Sequence, residues 1–397
     1  MKHDSILLLT KDAFCTSYLP CYGNHYWEGK TPNLDELVAK GTLFTNSYTA
    51  APSSAMSYLS MFTMKYPYQQ EIKTYIPVSG PYKGQTFFDK AYELGYSCHV
   101  VWDQNWIRLA QRYSECYGEH TNIHSLVGLR QPVGSHYTHE SDLKRDDQLA
   151  EETFMMFKKE IEAIMSKGEK VFLWCHLPHV LNGRTSYGDD IDLYDRYLGF
   201  FRQFFDDNNI FISGDHGNMN GQKGKLCYGF DVYENAIKIP LITPRIEGMN
   251  MCNDLFCNID FYDLIMNRKI NKREIIYSDS AYYAQPHRKL AILKGKYRYI
   301  FNKKDKSEEL YDIEWDPHED MNLAELNFYD VDRKVTSRTR EYYFYPYWDK
   351  IPDLLIAFRG YKDAIWRDGD IKQNLYNKLY SFAATTYHKF KTIKTDK

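Results

Sequence analysis

The sequence predicts an α/β protein, with a large, mostly parallel sheet flanked by helices and a smaller β-rich part after it. Three observations carry that expectation. Short apolar runs alternate with amphipathic segments through residues 1–245. Acidic, imidazole or hydroxyl side chains directly follow several of those runs, at the edge where sheets of this kind bind ligands. The 397 residues suffice for one large α/β domain with an appendage, or for two domains.

The elements follow in order. Ile6 to Leu9 reads as a buried parallel strand. Thr31 to Leu37 opens a helix, with Thr31 as N-cap, Pro32 at the first helical position and Gly41 as the stop. Leu43 to Tyr48 is a short strand leading to the loop Ala51-Pro52-Ser53-Ser54-Ala55. Met56, Leu59, Met61 and Phe62 then recur at helical spacing, so a helix begins near Ser54. Phe87 to Leu94 is an amphipathic helix ended by Gly95, and Cys98 to Trp102 is the strand after it. Residues 107–145 are polar. They hold His120, His124, His136 and His139 without a ligand-like pattern, and read as a solvated excursion from the sheet. The rhythm resumes with a helix over 147–167, the strand Val171 to Cys175, a helix over 190–206 and a strand over 210–213. Ile239 to Ile242 is the next strand, and Leu290 to Leu293 with Tyr297 to Phe301 form the β-rich part. The expected division is a catalytic α/β domain at 1–245, a smaller subdomain at 246–330 and an aromatic, basic helical extension at 331–397.

Composition excludes several function classes. A net charge of -3 lacks the basic footprint of a nucleic-acid binder, so no nucleic-acid partner is expected. No run reaches the roughly 18 apolar residues of a transmembrane segment. Met1 to Asp4 runs straight into a strand without a secretory leader, and a cytoplasmic location is expected. The eight cysteines show no CxxC pair or zinc-finger spacing and read as reduced core thiols. The 35 tyrosines and 7 tryptophans suit stacking on sugar rings, though packing accounts for most such residues. Residues 331–397 hold 14 Lys/Arg against 8 Asp/Glu, with Leu354, Leu355, Phe358, Tyr361 and Trp366 near one helical face. That face is expected to dock on the main domain or, in a homo-oligomer, on a sister subunit; an anionic glycan or a membrane surface is the sharper alternative.

The chemistry gathers on separate loops. Asp215-His216-Gly217 follows the run Asn209 to Ser213, and Asp12 follows the run Ile6 to Leu9 in the same way. Ser54 offers a hydroxyl from a further loop, and His176 and His179 follow another strand-like run at that edge. Two acids, an imidazole and a hydroxyl can hold one divalent metal ion, which makes an ester-cleaving or group-transferring centre the leading expectation. Mixed oxygen and nitrogen ligands admit Mn, Ca, Zn or Mg, and His216 tilts the choice toward Mn or Zn. The plainer alternatives are an N-cap for Ser54, a turn acid for Asp12 and a packed histidine for His179.

These segments, in this order, resemble the sulfatase family of the alkaline-phosphatase superfamily. Ile6 to Asp12 with Cys21-Tyr22-Gly23-Asn24 is similar to the first strand, metal acid and "CYG" turn. Thr31 to Tyr48 is similar to the "TPNLD…G..F.N.Y" block, and Pro52 to Pro67 keeps the spacing of the nucleophile loop and helix. Leu177-Pro178-His179, Gly214 to Gly217, Tyr233 to Ile242 and Glu309 to Leu323 resemble the family's later motifs. The resemblance implies an alkaline-phosphatase-like sandwich in which Asp12, Asp215 and His216 bind one divalent metal with Ser54 beside it. It further implies Ser54 as nucleophile and His179 as the histidine facing the leaving group.

The departures narrow the expected activity. Sulfatases mature a cysteine or serine to formylglycine within a C/S-x-P/A-x-R run. Here Ser54-Ala55-Met56-Ser57-Tyr58 has Met56 and Tyr58 instead, so formylglycine is not expected and Ser54 acts unmodified. Asp103 and Asn105 stand where a lysine and a histidine would grip the anion. Lys11 replaces the first acid of the usual pair, and Lys223 or Lys225 would substitute for a late lysine. Tyr58, Asp103, Asn105, His176, Lys223 and Lys225 are the expected substrate-binding set. Each lost cationic contact to a dianion is worth about 1.5–3 kcal/mol. The expected function is therefore a metal-dependent hydrolase or transferase acting on phosphate mono- or diesters or sulfate esters, of a small molecule, a glycan or an envelope precursor. A true sulfatase and a catalytically silent ligand-binding relative are the alternatives.

Overall fold

The computed structural model describes residues 4–25, 28–70, 82, 84–103, 116–126, 140–178, 191–281, 287–325 and 347–366. Eight strands make the main sheet: β1 (Ile6–Lys11), β2 (Thr42–Phe44), β3 (Ser97–Asp103), β4 (Thr121–Leu126), β5 (Val171–Leu177), β6 (Ile210–Gly214), β7 (Leu241–Thr243) and β8 (Met251–Cys252). Their spatial order is β8-β2-β7-β6-β1-β5-β3-β4. Only β7 runs against its neighbours, and every other pairing in this sheet is parallel.

Central strands of such a sheet are covered on both faces, so their sequences are continuously apolar rather than alternating. β1 is buried at all six positions. Ile6 and Leu8 face helices α2 (Ser54–Thr63) and α3 (Phe87–Glu93). Leu7 and Leu9 face α1 (Pro32–Lys40), α4 (Glu140–Met165) and α5 (Ile191–Phe201). α2 is buried along its whole length. The apolar stripe read from its sequence was only part of an all-round contact, which holds Ser54 rigidly at its first position. The free thiols of Cys15, Cys98, Cys116, Cys175, Cys252 and Cys257 are buried in the core.

A second, antiparallel sheet follows: β9 (Ile275–Asp279), β10 (Lys289–Lys294), β11 (Tyr297–Asn302) and β12 (Glu308–Asp312). Its inner face, with Ala291, Leu293, Ile300 and Tyr311, packs against Tyr48, Val232 and Ile237. Its outer face is covered by the helix Ile351–Ile365, whose Ile351 and Phe358 meet Leu290, Ile292 and Tyr299. Phe358 stacks on Tyr299 with ring centroids 5.6 Å apart. No helix among the described residues is long and apolar enough to cross a membrane.

Several expectations are corrected. Within the stretch read as a solvated excursion, Thr121–Leu126 is an edge strand parallel to β3, and α4 begins at Glu140. An edge strand open to solvent needs few apolar side chains, and β4 is exposed or half-exposed up to Leu126. His124 there is within 2.8 Å of the His99 ring and 2.6 Å of Glu160. Leu43 to Tyr48 divides into two short strands, Thr42–Phe44 and Ser47–Tyr48. The helix expected over 190–206 ends at Phe201, and Ile275–Asp279 is a strand that the reading omitted.

Candidate metal centre

β1 and β6 lie side by side in parallel, with Lys11 opposite Gly214. The next residue of each strand, Asp12 and Asp215, therefore leaves the sheet at the same place. Glycine is required around the second acid. A Cβ at Gly217 would stand 1.8 Å from the Asn235 carbonyl oxygen, and one at Gly214 would stand 2.9 Å from Phe14. Ala13 takes a left-handed φ of 52°. That turn brings its N–H to Asp215 Oδ1 at 3.0 Å, and the His216 N–H reaches the same oxygen at 2.8 Å. Two amides thus fix Oδ1 and leave Oδ2 to face the centre.

Ligand atoms of Asp12, Asp215 and His216 all lie within 4.8 Å of one another. His216 Nε2 is 3.5 Å from Asp12 Oδ1 and 3.4 Å from Asp215 Oδ2. The other ring nitrogen, Nδ1, is 2.7 Å from the Gly217 carbonyl, which can only accept. Nδ1 therefore carries the proton, and Nε2 turns a lone pair toward two carboxylates. Three electron-rich atoms aimed at one buried point repel each other, and a divalent cation between them removes the conflict. The donor set fits such an ion. Burial pushes the Asp215 carboxyl up to about 6, opposed by His216 and reinforced by the charge of Asp12.

Ser54 completes the group. Its Oγ donates to Asp12 Oδ1 at 3.0 Å and is also 3.0 Å from His216 Nε2. One turn along α2, the Ser57 hydroxyl donates to the Asp215 backbone oxygen at 2.6 Å. Asn258 Nδ2 donates to that hydroxyl at 2.9 Å, and Asn258 Oδ1 accepts from the Ala50 N–H at 3.0 Å. The Ser54 helix, Asp215 and Asn258 are thereby locked together. Tyr228 lies over the His216 ring with centroids 4.4 Å apart.

The other expected residues are placed differently. Tyr58 Oη donates to Asp215 Oδ2 at 2.9 Å and sits 2.8 and 2.9 Å from the two ring nitrogens of His176. Both side chains are about 1% exposed, and Trp102 and Trp174 wall the Tyr58 ring at 4.8 and 4.7 Å. They were expected at the substrate, yet they lie beneath the acid. Lys225 is paired with Asp231 at 2.6 Å, and Lys223 lies 3.9 Å from Asp320 and over the Tyr311 ring. His179 and Asn105 fall outside the described residues, as does the side chain of Asp103, whose backbone closes β3 opposite Leu126. The sequence reading missed Thr10, Ser57, Trp174 and Asn258 as site residues. Only Ser57 carried a local signal, one helical turn from Ser54.

The sulfatase family profile matches residues 4–245. No curated protein sequence matches the chain. Among solved structures, the chain is similar to a Bacteroides thetaiotaomicron protein assigned as a sulfatase, at 14% identity over 92% of each chain and a TM-score of 0.65. It is similar to a 2-O GAG sulfatase at 13% identity over 91% of this chain and 92% of that one, with a TM-score of 0.63. A phosphonate monoester hydrolase of Agrobacterium radiobacter matches at 13% identity over 90% of this chain and 96% of its own, with a TM-score of 0.60.

Proposed function

The chain belongs to the sulfatase family, and on that premise we propose that it is a metal-dependent phosphoester hydrolase or phospho-group transferase with unmodified Ser54 as nucleophile. The carrying observation is the position of the Ser54 hydroxyl, 3.0 Å from both Asp12 Oδ1 and His216 Nε2, two of the three atoms suited to hold the ion.

Asp12, Asp215 and His216 would hold the cation. When bound, it lowers the pKa of a neighbouring hydroxyl and neutralises charge on the ester oxygens. Asp12 accepts the Ser54 hydrogen bond, which directs the proton inward and leaves the oxygen's lone pairs free for attack. Ser54 opens α2, so amides at a helix N-terminus accompany the nucleophile and favour an anionic group. Attack by Oγ passes its proton to Asp12, forms the Oγ–P bond and breaks the P–O bond to the alcohol. The departing oxygen takes a proton, a role that the resemblance gives to His179. Water or a second alcohol then receives the phosphoryl group and restores the serine.

A monoanionic phosphodiester is favoured over a dianionic phosphate monoester by what stands at position 58, and the run Ser54-Ala55-Met56-Ser57-Tyr58, without the formylglycine signature, counts against sulfate esters. Tyr58 is buried and bonded to Asp215, so it offers a dianion no positive charge. A phosphonate monoester hydrolase among the similar structures accords with phosphorus chemistry on this fold. The substrate class is an ester of a small molecule or glycan.

The test is turnover of p-nitrophenyl phosphate, bis-p-nitrophenyl phosphate and p-nitrophenyl sulfate with Mn, Ca, Zn or Mg, beside peptide mass spectrometry of position 54. Metal-dependent cleavage of a phosphorus ester with an intact serine is expected. Sulfate turnover with formylglycine at position 54 would establish a true sulfatase. Metal binding without turnover of any ester would establish a binding protein.

A further inference from the structure

We propose that Asn258 is a positioning residue for the Ser54 nucleophile, acting with Thr49 on the chain to either side of it. The inference rests on the reading of Ser54 above and deepens it. Asn258 lies beyond residues 4–245, the stretch that the sulfatase family profile matches.

Two short strands deliver the residue. Ser47–Tyr48 and Phe256–Cys257 pair in parallel, with Tyr48 opposite Cys257. Thr49 and Asn258 come next on each, and both are fully buried, as is Ser57. The Asn258 amide has one orientation. A backbone N–H can only donate, so the side-chain atom 3.0 Å from the Ala50 nitrogen is the oxygen. The amide nitrogen is thereby turned to two hydroxyls, Ser57 Oγ at 2.9 Å and Thr49 Oγ1 at 3.1 Å. Ser57 gives its one proton to the Asp215 carbonyl at 2.6 Å, which leaves its oxygen to receive the amide N–H. Thr49 Oγ1 lies 2.9 Å from both Ser57 Oγ and the Ala51 carbonyl, and its single proton serves one of them.

One side chain thus ties down Ala50, ahead of Ser54, and Ser57, one helical turn after it. Through Ser57 the start of α2 is set against the backbone of Asp215. The metal-ligand side chains do not depend on this tie. Asp12 and Asp215 leave from β1 and β6, and Asp215 Oδ1 is held by the Ala13 and His216 amides. The serine does depend on it. Its Oγ meets Asp12 Oδ1 and His216 Nε2 at 3.0 Å each. A displacement of about 1 Å at a reacting atom can cost on the order of 100-fold in rate.

Kinetics and calorimetry together test the proposal. Asn258→Ala should lower kcat on bis-p-nitrophenyl phosphate by about 10–100-fold, with KM and Mn2+ affinity held within about threefold. Asn258→Asp keeps the shape and the acceptor for the Ala50 N–H but loses the amide N–H, and should lower kcat in the same way. Thr49→Val should lower kcat, and Thr49→Ser should restore it, because the hydroxyl and not the methyl group joins the network. Unchanged kcat in a folded Asn258→Ala overturns the proposal. So does a loss of Mn2+ affinity equal to the fall in kcat, which would put Asn258 behind the metal ligands instead of the serine. If neither Asn258 variant folds, the Thr49 pair decides, and equal kcat in Thr49→Val and Thr49→Ser overturns the proposal. A wild type that turns over no ester, or full turnover in Ser54→Ala, overturns the nucleophile reading and this inference with it. An active wild type with an equally active Asn258→Ala overturns this inference alone.

Discussion

The Ser54 hydroxyl lies 3.0 Å from Nε2 of His216, while the opposite ring nitrogen is tied to the Gly217 carbonyl at 2.7 Å. In a serine–histidine–aspartate triad the far nitrogen would instead meet a carboxylate, which stabilises the imidazolium formed in catalysis. Here both carboxylates stand on the serine side of the ring, at 3.5 and 3.4 Å from Nε2. The imidazole therefore turns Nε2 to the same point as the two acids, beside the Ser54 hydroxyl, an arrangement suited to holding a metal ion.

Stability of the metal-free protein should respond to pH through Asp215. Its folded carboxyl is raised from 3.8 to about 6, mainly by burial. The folded state therefore holds a proton that the unfolded state has released. Its contribution is present in full below about pH 4 and is lost as pH rises through about 6. In chelator, Asp215→Asn should gain on wild type by on the order of 2 kcal/mol between about pH 5 and pH 7.5, read by urea unfolding. Added Mn2+ should reverse the trend for wild type only. A gap independent of pH would contradict the assignment.

Ser54→Ala should separate chemistry from metal binding. Loss of the nucleophile is expected to lower kcat by at least ~1000-fold. The two carboxylates and the imidazole remain, so Mn2+ affinity should stay within about tenfold of wild type. Steady-state kinetics and calorimetry check the two halves, and retained turnover would move the nucleophile elsewhere.

The second sheet is joined to the main domain by a buried ion network. Arg298 on β11 is fully buried and pairs with Glu234 and Glu319, and Glu319 also accepts from the Glu234 N–H at 2.8 Å. Arg298→Ala would leave buried Glu319 uncompensated and Glu234 with Lys238 alone. A loss of about 3–5 kcal/mol is expected in urea unfolding. A loss below about 1 kcal/mol would mean that water or a rearranged lysine replaces the guanidinium.

Asp12, Asp215 and His216 were legible in the sequence because each follows an apolar run, and strand ends in an α/β sheet form the binding edge. Ser54 was legible from the helical spacing after it. The edge strand Thr121–Leu126 was not, because half its surface faces water and its side chains carry little apolar pattern. Tyr58 and His176 were recognised as site residues, but not which way they face. Ser54 and Tyr58 are four positions apart on one helix, yet the first is directed to Asp12 and the second lies under Asp215. Asn258 carried no signal, since its bond to Ser57 spans 201 positions of chain.

The sequence by itself determined the fold class, the position of the central strands and the candidate set Asp12, Ser54, Asp215 and His216. Those features follow from apolar runs, turn residues and helix starts, whose physics acts between near neighbours along the chain. Tertiary structure alone decided which atoms face one another and which side chains are cut off from water. Those outcomes depend on packing between β1, β5, β6 and α2, and donors and acceptors acquire direction only when distant segments are brought within about 3 Å.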